Sequence, residues 1–176
     1  MAANGKRIAI LATDGYEQSE LMKPRQLLKD AGFQVDVISP KPGEIRGWSE
    51  KNWGDTVPVD VELSQARADD YDALVLPGGV INPDQLRTQD AAVEFVRAFD
   101  RAGKTLAAIC HGPWLLVEAG AAKGRSVTSW PSVRTDLQNA GATWKDEAVV
   151  RDGHLITSRK PDDIPQFADA VIEALR

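Results

Sequence analysis

The chain has one cysteine, and its neighbours give it a chemical context: Ala107-Ala108-Ile109-Cys110-His111-Gly112-Pro113. An apolar run ends at Cys110, and a helix-compatible stretch opens at Pro113. The order small–x–Cys–x–small, formed by Ala108, Cys110 and Gly112, fits a nucleophile elbow. Such a strand-to-helix turn excludes bulk on either side and pushes its apex side chain outward. The apex also sits at a helix N-terminus, where unpaired N–H groups and the helix dipole favour an anion. A thiol of pKa about 8.5 is roughly 3% thiolate at neutral pH. Lowered to about 5.5 by such surroundings, it would be roughly 97% thiolate. The competing reading is an inert core cysteine, since free Cys is commonly buried. His111 follows directly. Adjacent side chains normally diverge, but the sharp turn of an elbow lets Cys110 and His111 converge into a nucleophile–base pair.

Two further groups fall where they can serve that pair. Gly78-Gly79 closes an apolar run after Pro77. Glycines there let backbone approach a ligand, and their N–H groups with that of His111 form a candidate oxyanion hole. A plain turn is the alternative. Glu17, in Asp14-Gly15-Tyr16-Glu17-Gln18, lies just beyond the first apolar run. A carboxyl near a thiolate has its pKa raised and can donate a hydrogen bond to sulfur. The alternative is an acidic residue favoured in a helix's first turn. The other histidine, His154, reads as a surface hairpin residue. Two histidines and one cysteine without ligand-like spacing imply no metal site. With no G-x-G-x-x-G and no P-loop, no nucleotide cofactor is expected.

The elements that must position these groups alternate between strand and helix. Ile8–Ala12, Phe33–Ser39, Ala73–Pro77 and Thr105–Ile109 read as strands. Helices are expected over about 17–31, with Pro24 implying a kink or a later start, and over about 90–102 and 113–120. Another is expected over 131–140. The clearest spans Ile164 to Leu175, with Asp162 or Asp163 capping its start. Pro40 to Thr56 reads as an excursion with short strands. Ala148–Thr157 reads as a hairpin turning at Asp152-Gly153. Such alternation implies an α/β fold with a mostly parallel sheet covered on both faces, and sites along one sheet edge.

Composition sets the outer limits. A chain of 176 residues, 43% apolar and 27% charged, suits a single soluble domain over residues 1–176 and excludes general disorder. A lone cysteine excludes an internal disulfide. Net charge −5 with no basic cluster argues against stable nucleic-acid binding. No stretch reads as a signal peptide or membrane span, so the expected location is the cytoplasm.

The Cys110 segment, Ala73–Gly79, the Glu17 loop and Ser158-Arg159-Lys160-Pro161-Asp162-Asp163 occur together and in order. In this the chain resembles the PfpI-type intracellular protease/deglycase family of the ThiJ/PfpI superfamily, within the class I glutamine amidotransferase-like fold. The resemblance runs from about Lys6 to Leu175. It implies a flavodoxin-like three-layer α/β/α sandwich, Cys110 as nucleophile, His111 as its partner and Glu17 in contact with the cysteine. It also implies that the Gly79 and His111 amides face an oxyanion, and that Trp114 and Trp130 wall the pocket, although core packing explains both tryptophans as well. Family members form homodimers, often assembled further into hexamers. A neighbouring subunit would then supply Asp84, one methylene shorter than the glutamate of the archetypal protease. The resemblance carries two function classes. One is a hydrolase acting on peptides or on glyoxal- and methylglyoxal-modified proteins or nucleotides. The other is a redox-sensing or chaperone-like stress protein with an oxidisable cysteine.

Overall fold

The computed structural model describes residues 5–176. Its strands are β1 (Arg7–Leu11), β2 (Tyr16–Glu17), β3 (Gln34–Ser39), β4 (Glu44–Ser49), β5 (Asn52–Pro58), β6 (Val61–Glu62), β7 (Ala73–Leu76), β8 (Thr105–Ile109), β9 (Ser126–Val127), β10 (Thr143–Trp144), β11 (Val149–Asp152) and β12 (Leu155–Ser158). Its α-helices are α1 (Gln18–Asp30), α2 (Ile81–Leu86), α3 (Asp90–Arg101), α4 (Trp114–Ala119), α5 (Arg134–Asn139) and α6 (Ile164–Leu175). Seven strands form the central sheet in the order β11-β12-β8-β7-β1-β3-β6. All its pairings are parallel except β11 with β12.

The alternation of side chains along each strand builds two cores. Ala9, Leu11, Leu74, Leu76, Leu106 and Ala108 point to one face, beneath Phe95, Val96 and Phe99 of α3 and Leu115 and Leu116 of α4. Ile8, Ile10, Val75, Ala107 and Ile109 point to the other, beneath Leu21 and Leu28 of α1 and Phe167 and Val171 of α6. A strand apolar at every position is what a sheet covered twice requires. The chain leaves β1 through α1 on one face, and leaves β7 through α3 on the other. The sheet's switch point therefore lies between β1 and β7, where a crevice opens at the strands' carboxyl ends.

Several local expectations needed correction. Helix α1 runs unbroken through Pro24, which is buried within it. The Pro40–Thr56 excursion does hold short strands, β4 and β5, paired as an antiparallel hairpin whose Ser49↔Asn52 pair leaves Glu50 and Lys51 as its turn. The β11–β12 hairpin pairs Asp152 with Leu155, so its turn is Gly153-His154, one residue later than expected. Neither Asp162 nor Asp163 caps α6 through a side-chain bond. Asp163 instead binds the backbone N–H and guanidinium of Arg159, at 3.2 Å and 2.9 Å. Among the described residues no helix is long and apolar enough to cross a membrane.

Phe167 is fully buried between α6 and the sheet. Phe167→Ala is expected to lower unfolding free energy by about 3–5 kcal/mol, measured by urea denaturation.

Candidate active site

At the end of β8, Cys110 has φ +63°, a left-handed conformation unusual for a residue with a side chain. Such strain persists only where surrounding structure enforces it, and it recurs at functional sites. The Cys110 N–H donates to the Ser158 carbonyl at 3.0 Å, and its own carbonyl accepts from the Trp130 N–H at 2.9 Å. The elbow's small neighbours have a steric reason. A Cβ on Gly112 would strike the carbonyl oxygen of Leu76. One on Gly78 would lie 2.8 Å from the Cys110 Cβ and 2.5 Å from the Glu20 carboxylate.

The turn brings Cys110 and His111 together, with Sγ 3.2 Å from Nδ1. The opposite ring nitrogen, Nε2, lies 3.4 Å from the Ser132 hydroxyl. Trp114 meets the imidazole edge-on at 5.1 Å between centroids, and Trp130 lies nearly parallel to it at 6.2 Å. Burial lowers the His111 pKa, so the imidazole is neutral near pH 7 and able to accept a proton.

The carboxyl against the thiol belongs to Glu20, where Glu17 was expected. Glu17 precedes α1 in extended conformation and sits at the cavity wall, its carboxylate accepting from the Ser19 hydroxyl at 3.1 Å. Glu20 lies in the first turn of α1, which turns it inward to full burial facing Cys110. One Glu20 oxygen accepts the Gly78 N–H at 3.0 Å. The other, Oε2, has no hydrogen-bond partner among the described residues. Burial, then the charge of Glu17, pushes the Glu20 pKa up to about 8. The carboxyl is therefore protonated at neutral pH and is a donor in waiting.

The expected thiolate is also corrected. Burial, then the charge of an ionised Glu20, pushes the Cys110 thiol up from its ordinary value. The N–H groups of Gly79 and His111 act in the opposite direction. Helix α4, with only six residues, offers a small dipole against the cost of burying an anion. Both shifts favour the neutral forms, a thiol beside an imidazole.

The oxyanion donors are two of the three expected. The Gly78 N–H is committed to Glu20 and is unavailable. The N–H groups of Gly79 and His111 both face the sulfur. The Gly78 carbonyl accepts from the Glu17 N–H and from Asn82 Nδ2, both at 3.2 Å. Buried Asn82 also accepts the Thr13 N–H at 2.8 Å, tying the loop after β1 to the loop after β7.

Cys110 forms part of the wall of a cavity of about 550 Å³ with Glu17, Glu20, Trp48, Glu50 and Trp130. Trp114 does not line it. Its indole N–H donates to Asp136 at 2.9 Å, so its service is to the back of His111. Asp84 lies exposed on α2, outside this cavity. His154 is half-buried and meets Asp100 at 2.8 Å. Sequence reasoning missed Glu20, Asn82, Trp48 and Glu50. Only Glu20 carried a signal, an acid at the start of an amphipathic helix.

A cysteine elbow, an adjacent imidazole and two preset N–H donors at a parallel-sheet switch point form a candidate nucleophile site. The chain belongs to the DJ-1/PfpI family, whose model matches residues 6–174. It is 44% identical over 165 residues to General stress protein 18 of Bacillus subtilis, covering 93% of this chain and 94% of that one. It is 40% identical over 170 residues to Deglycase PYRAB04690 of Pyrococcus abyssi, covering 97% and 99%. Among solved structures it superposes with TM-score 0.91 and 37% identity on a two-domain protein of Anabaena variabilis containing DJ-1/ThiJ/PfpI-like and ferritin-like domains. The match covers 97% of this chain and 48% of that one.

The elevated Glu20 pKa gives a signed expectation. A proton held more tightly in the fold than in the unfolded chain, at about 8 against 4.5, stabilises the fold fully at low pH. That stability is lost as pH rises towards and through about 8. Relative to Glu20→Gln, the native chain should lose on the order of 4 kcal/mol of unfolding free energy between the two limits. Urea titrations of both proteins at pH 5 and pH 8.5 measure it. A constant difference between them contradicts the assignment.

Proposed function

We propose that the chain is a cysteine-dependent hydrolase. It removes glyoxal- or methylglyoxal-type adducts from proteins or nucleotides, or cleaves peptides, as a stress-protective activity of the cytoplasm. The observation that carries this reading is Cys110 at φ +63° with Sγ 3.2 Å from His111 Nδ1, facing the N–H groups of Gly79 and His111. The name of the Pyrococcus relative supports the deglycase form, and that of the Bacillus relative supports the stress role.

In the proposed sequence the sulfur attacks a carbonyl carbon as the thiol proton passes to His111 Nδ1. The C–S bond forms while the carbonyl π pair moves to oxygen, which the two N–H groups receive. For a peptide carbonyl the C=O then re-forms as the C–N bond breaks, His111 giving its proton to the departing amine, and water attacks the resulting thioester, releasing the acid and returning the proton to sulfur. Glu20, neutral, keeps a second negative charge away from the sulfur and offers its proton to it.

Self-association is part of the proposal. The exposed position of Asp84 on α2 suits delivery to a neighbouring copy, in a dimer or hexamer. Sedimentation should show a species larger than one chain at working concentration, and a strict monomer removes this arrangement. Oxidation sensing is a second reading, supported by the Glu20 carboxyl facing the sulfur, where it can donate to a sulfinate. Intact mass after graded peroxide tests it, since unmodified Cys110 overturns it.

Purified protein is expected to turn over hemithioacetal-type or peptide substrates, with Cys110→Ser slower by at least about a thousandfold, as for loss of a nucleophile. Equal rates for the two proteins overturn the hydrolase reading.

A further inference from the structure

We propose that Asn82 is a positioning residue of the reaction: its side-chain amide sets the direction of both N–H groups that the Gly78-Gly79 turn aims at the reacting pair. This rests on the hydrolase reading and adds to it a residue outside the cavity wall.

The two glycines are there for clearance. A Cβ on Gly78 would lie 2.5 Å from the Glu20 carboxylate, and one on Gly79 would lie 2.5 Å from the Gly15 carbonyl oxygen. Gly79 also has φ +79°, in the left-handed region. Two successive residues without side chains bring freedom along with clearance, because little steric cost opposes rotation of the peptide planes beside them. A donor that stabilises charge during the reaction has to be aimed before it. Some other group must therefore hold these planes.

Asn82 holds two of them. It lies on α2 and is fully buried. Nδ2 donates to the Pro77 carbonyl at 3.1 Å and to the Gly78 carbonyl at 3.2 Å. Oδ1 accepts the Thr13 N–H at 2.8 Å. Both ends of the amide are engaged, and every partner is a backbone group. A trans peptide carries its N–H opposite its C=O in one plane. Fixing the Pro77 carbonyl therefore fixes the Gly78 N–H, which meets Glu20 at 3.0 Å. Fixing the Gly78 carbonyl fixes the Gly79 N–H, which faces the Cys110 sulfur. One side chain thus orients the donor to the acid and the donor to the nucleophile together. The Glu17 N–H adds a second hold on the Gly78 carbonyl, at 3.2 Å. Asn82→Asp keeps the shape of the side chain but turns the shared donor into an acceptor facing two carbonyl oxygens.

The test compares two reactions of the same sulfur. p-Nitrophenyl acetate acylates Cys110 through a tetrahedral oxyanion: the C–S bond forms, p-nitrophenolate leaves, and the thiol proton passes to His111. Iodoacetamide alkylates the sulfur by displacing iodide, and no oxyanion forms. Both reactions consume the ionised sulfur, so at one pH the ratio of their rate constants cancels any change in thiol ionisation. Cys110→Ala protein supplies the background for each. Asn82→Asp and Asn82→Ala are each expected to lower the acylation-to-alkylation ratio about ten- to hundredfold, short of the loss of a whole donor because Glu17 still holds one carbonyl. A folded variant that keeps the wild-type ratio overturns the proposal, including one in which both reactions slow together, as a purely structural role would have it. The wild-type chain gives a second test that needs no variant. Followed by NMR, the Asn82 side-chain amide protons should exchange with deuterium about a hundredfold or more slowly than those of exposed Gln26. Equal rates overturn the proposal. Failure of the hydrolase reading shows separately, as wild-type protein that is acylated once and never releases the acyl group.

Discussion

Two acids, the Glu20 carboxyl and the Cys110 thiol, share one dry corner of the sheet edge, and they cannot both be anions there. The fold resolves the conflict by keeping the proton on Glu20, whose burial and proximity to Glu17 raise its pKa to about 8. Everything around the pair follows from that. Gly78 must lack a side chain because its N–H has to reach the carboxylate. Cys110 must take a left-handed backbone to aim its sulfur into the corner. His111 is kept towards its neutral form by its own burial.

The architecture that permits this is the reversal of strand order between β1 and β7, which run parallel. One helix leaves to each face, so the crevice between them is lined by first turns and loops instead of packed side chains. Helix α1 contributes Glu20 from one side, and the β7 and β8 turns contribute amides and sulfur from the other. Asn82 ties the two halves, bonding the backbone after β1 and after β7 at once. These groups come from three separate stretches of sequence, around Glu20, Gly79–Asn82 and Cys110-His111. The sheet is their common frame.

Much of this was legible before the structure. Doubly apolar strands and periodic helices such as Ile164–Leu175 revealed the layered α/β class, because burial on two faces leaves a run with no polar alternation. The elbow was legible because its glycine, Gly112, is dictated by backbone clearance, a local requirement. The acid partner was misplaced by three residues. Helix phase decides which of Glu17 and Glu20 turns inward, and phase depends on where the helix starts, the least determined feature of a pattern. The sulfur's ionisation was misjudged because burial depth is a tertiary quantity. The Trp48–Glu50 wall was invisible for a similar reason. A hairpin with little alternation gives no hint that its tip reaches a distant cysteine.

The Gly78–Gly79 peptide unit carries a last consequence. Its carbonyl is held by two donors, one from Glu17 and one from Asn82, and its N–H belongs to the same rigid plane. With one end pinned, the unit cannot flip, so the Gly79 N–H keeps its aim at the sulfur whether the cavity is full or empty. The field that would receive negative charge is a standing property of the resting molecule. The Gly79 N–H needs no reorientation of its own peptide unit to meet negative charge at the sulfur.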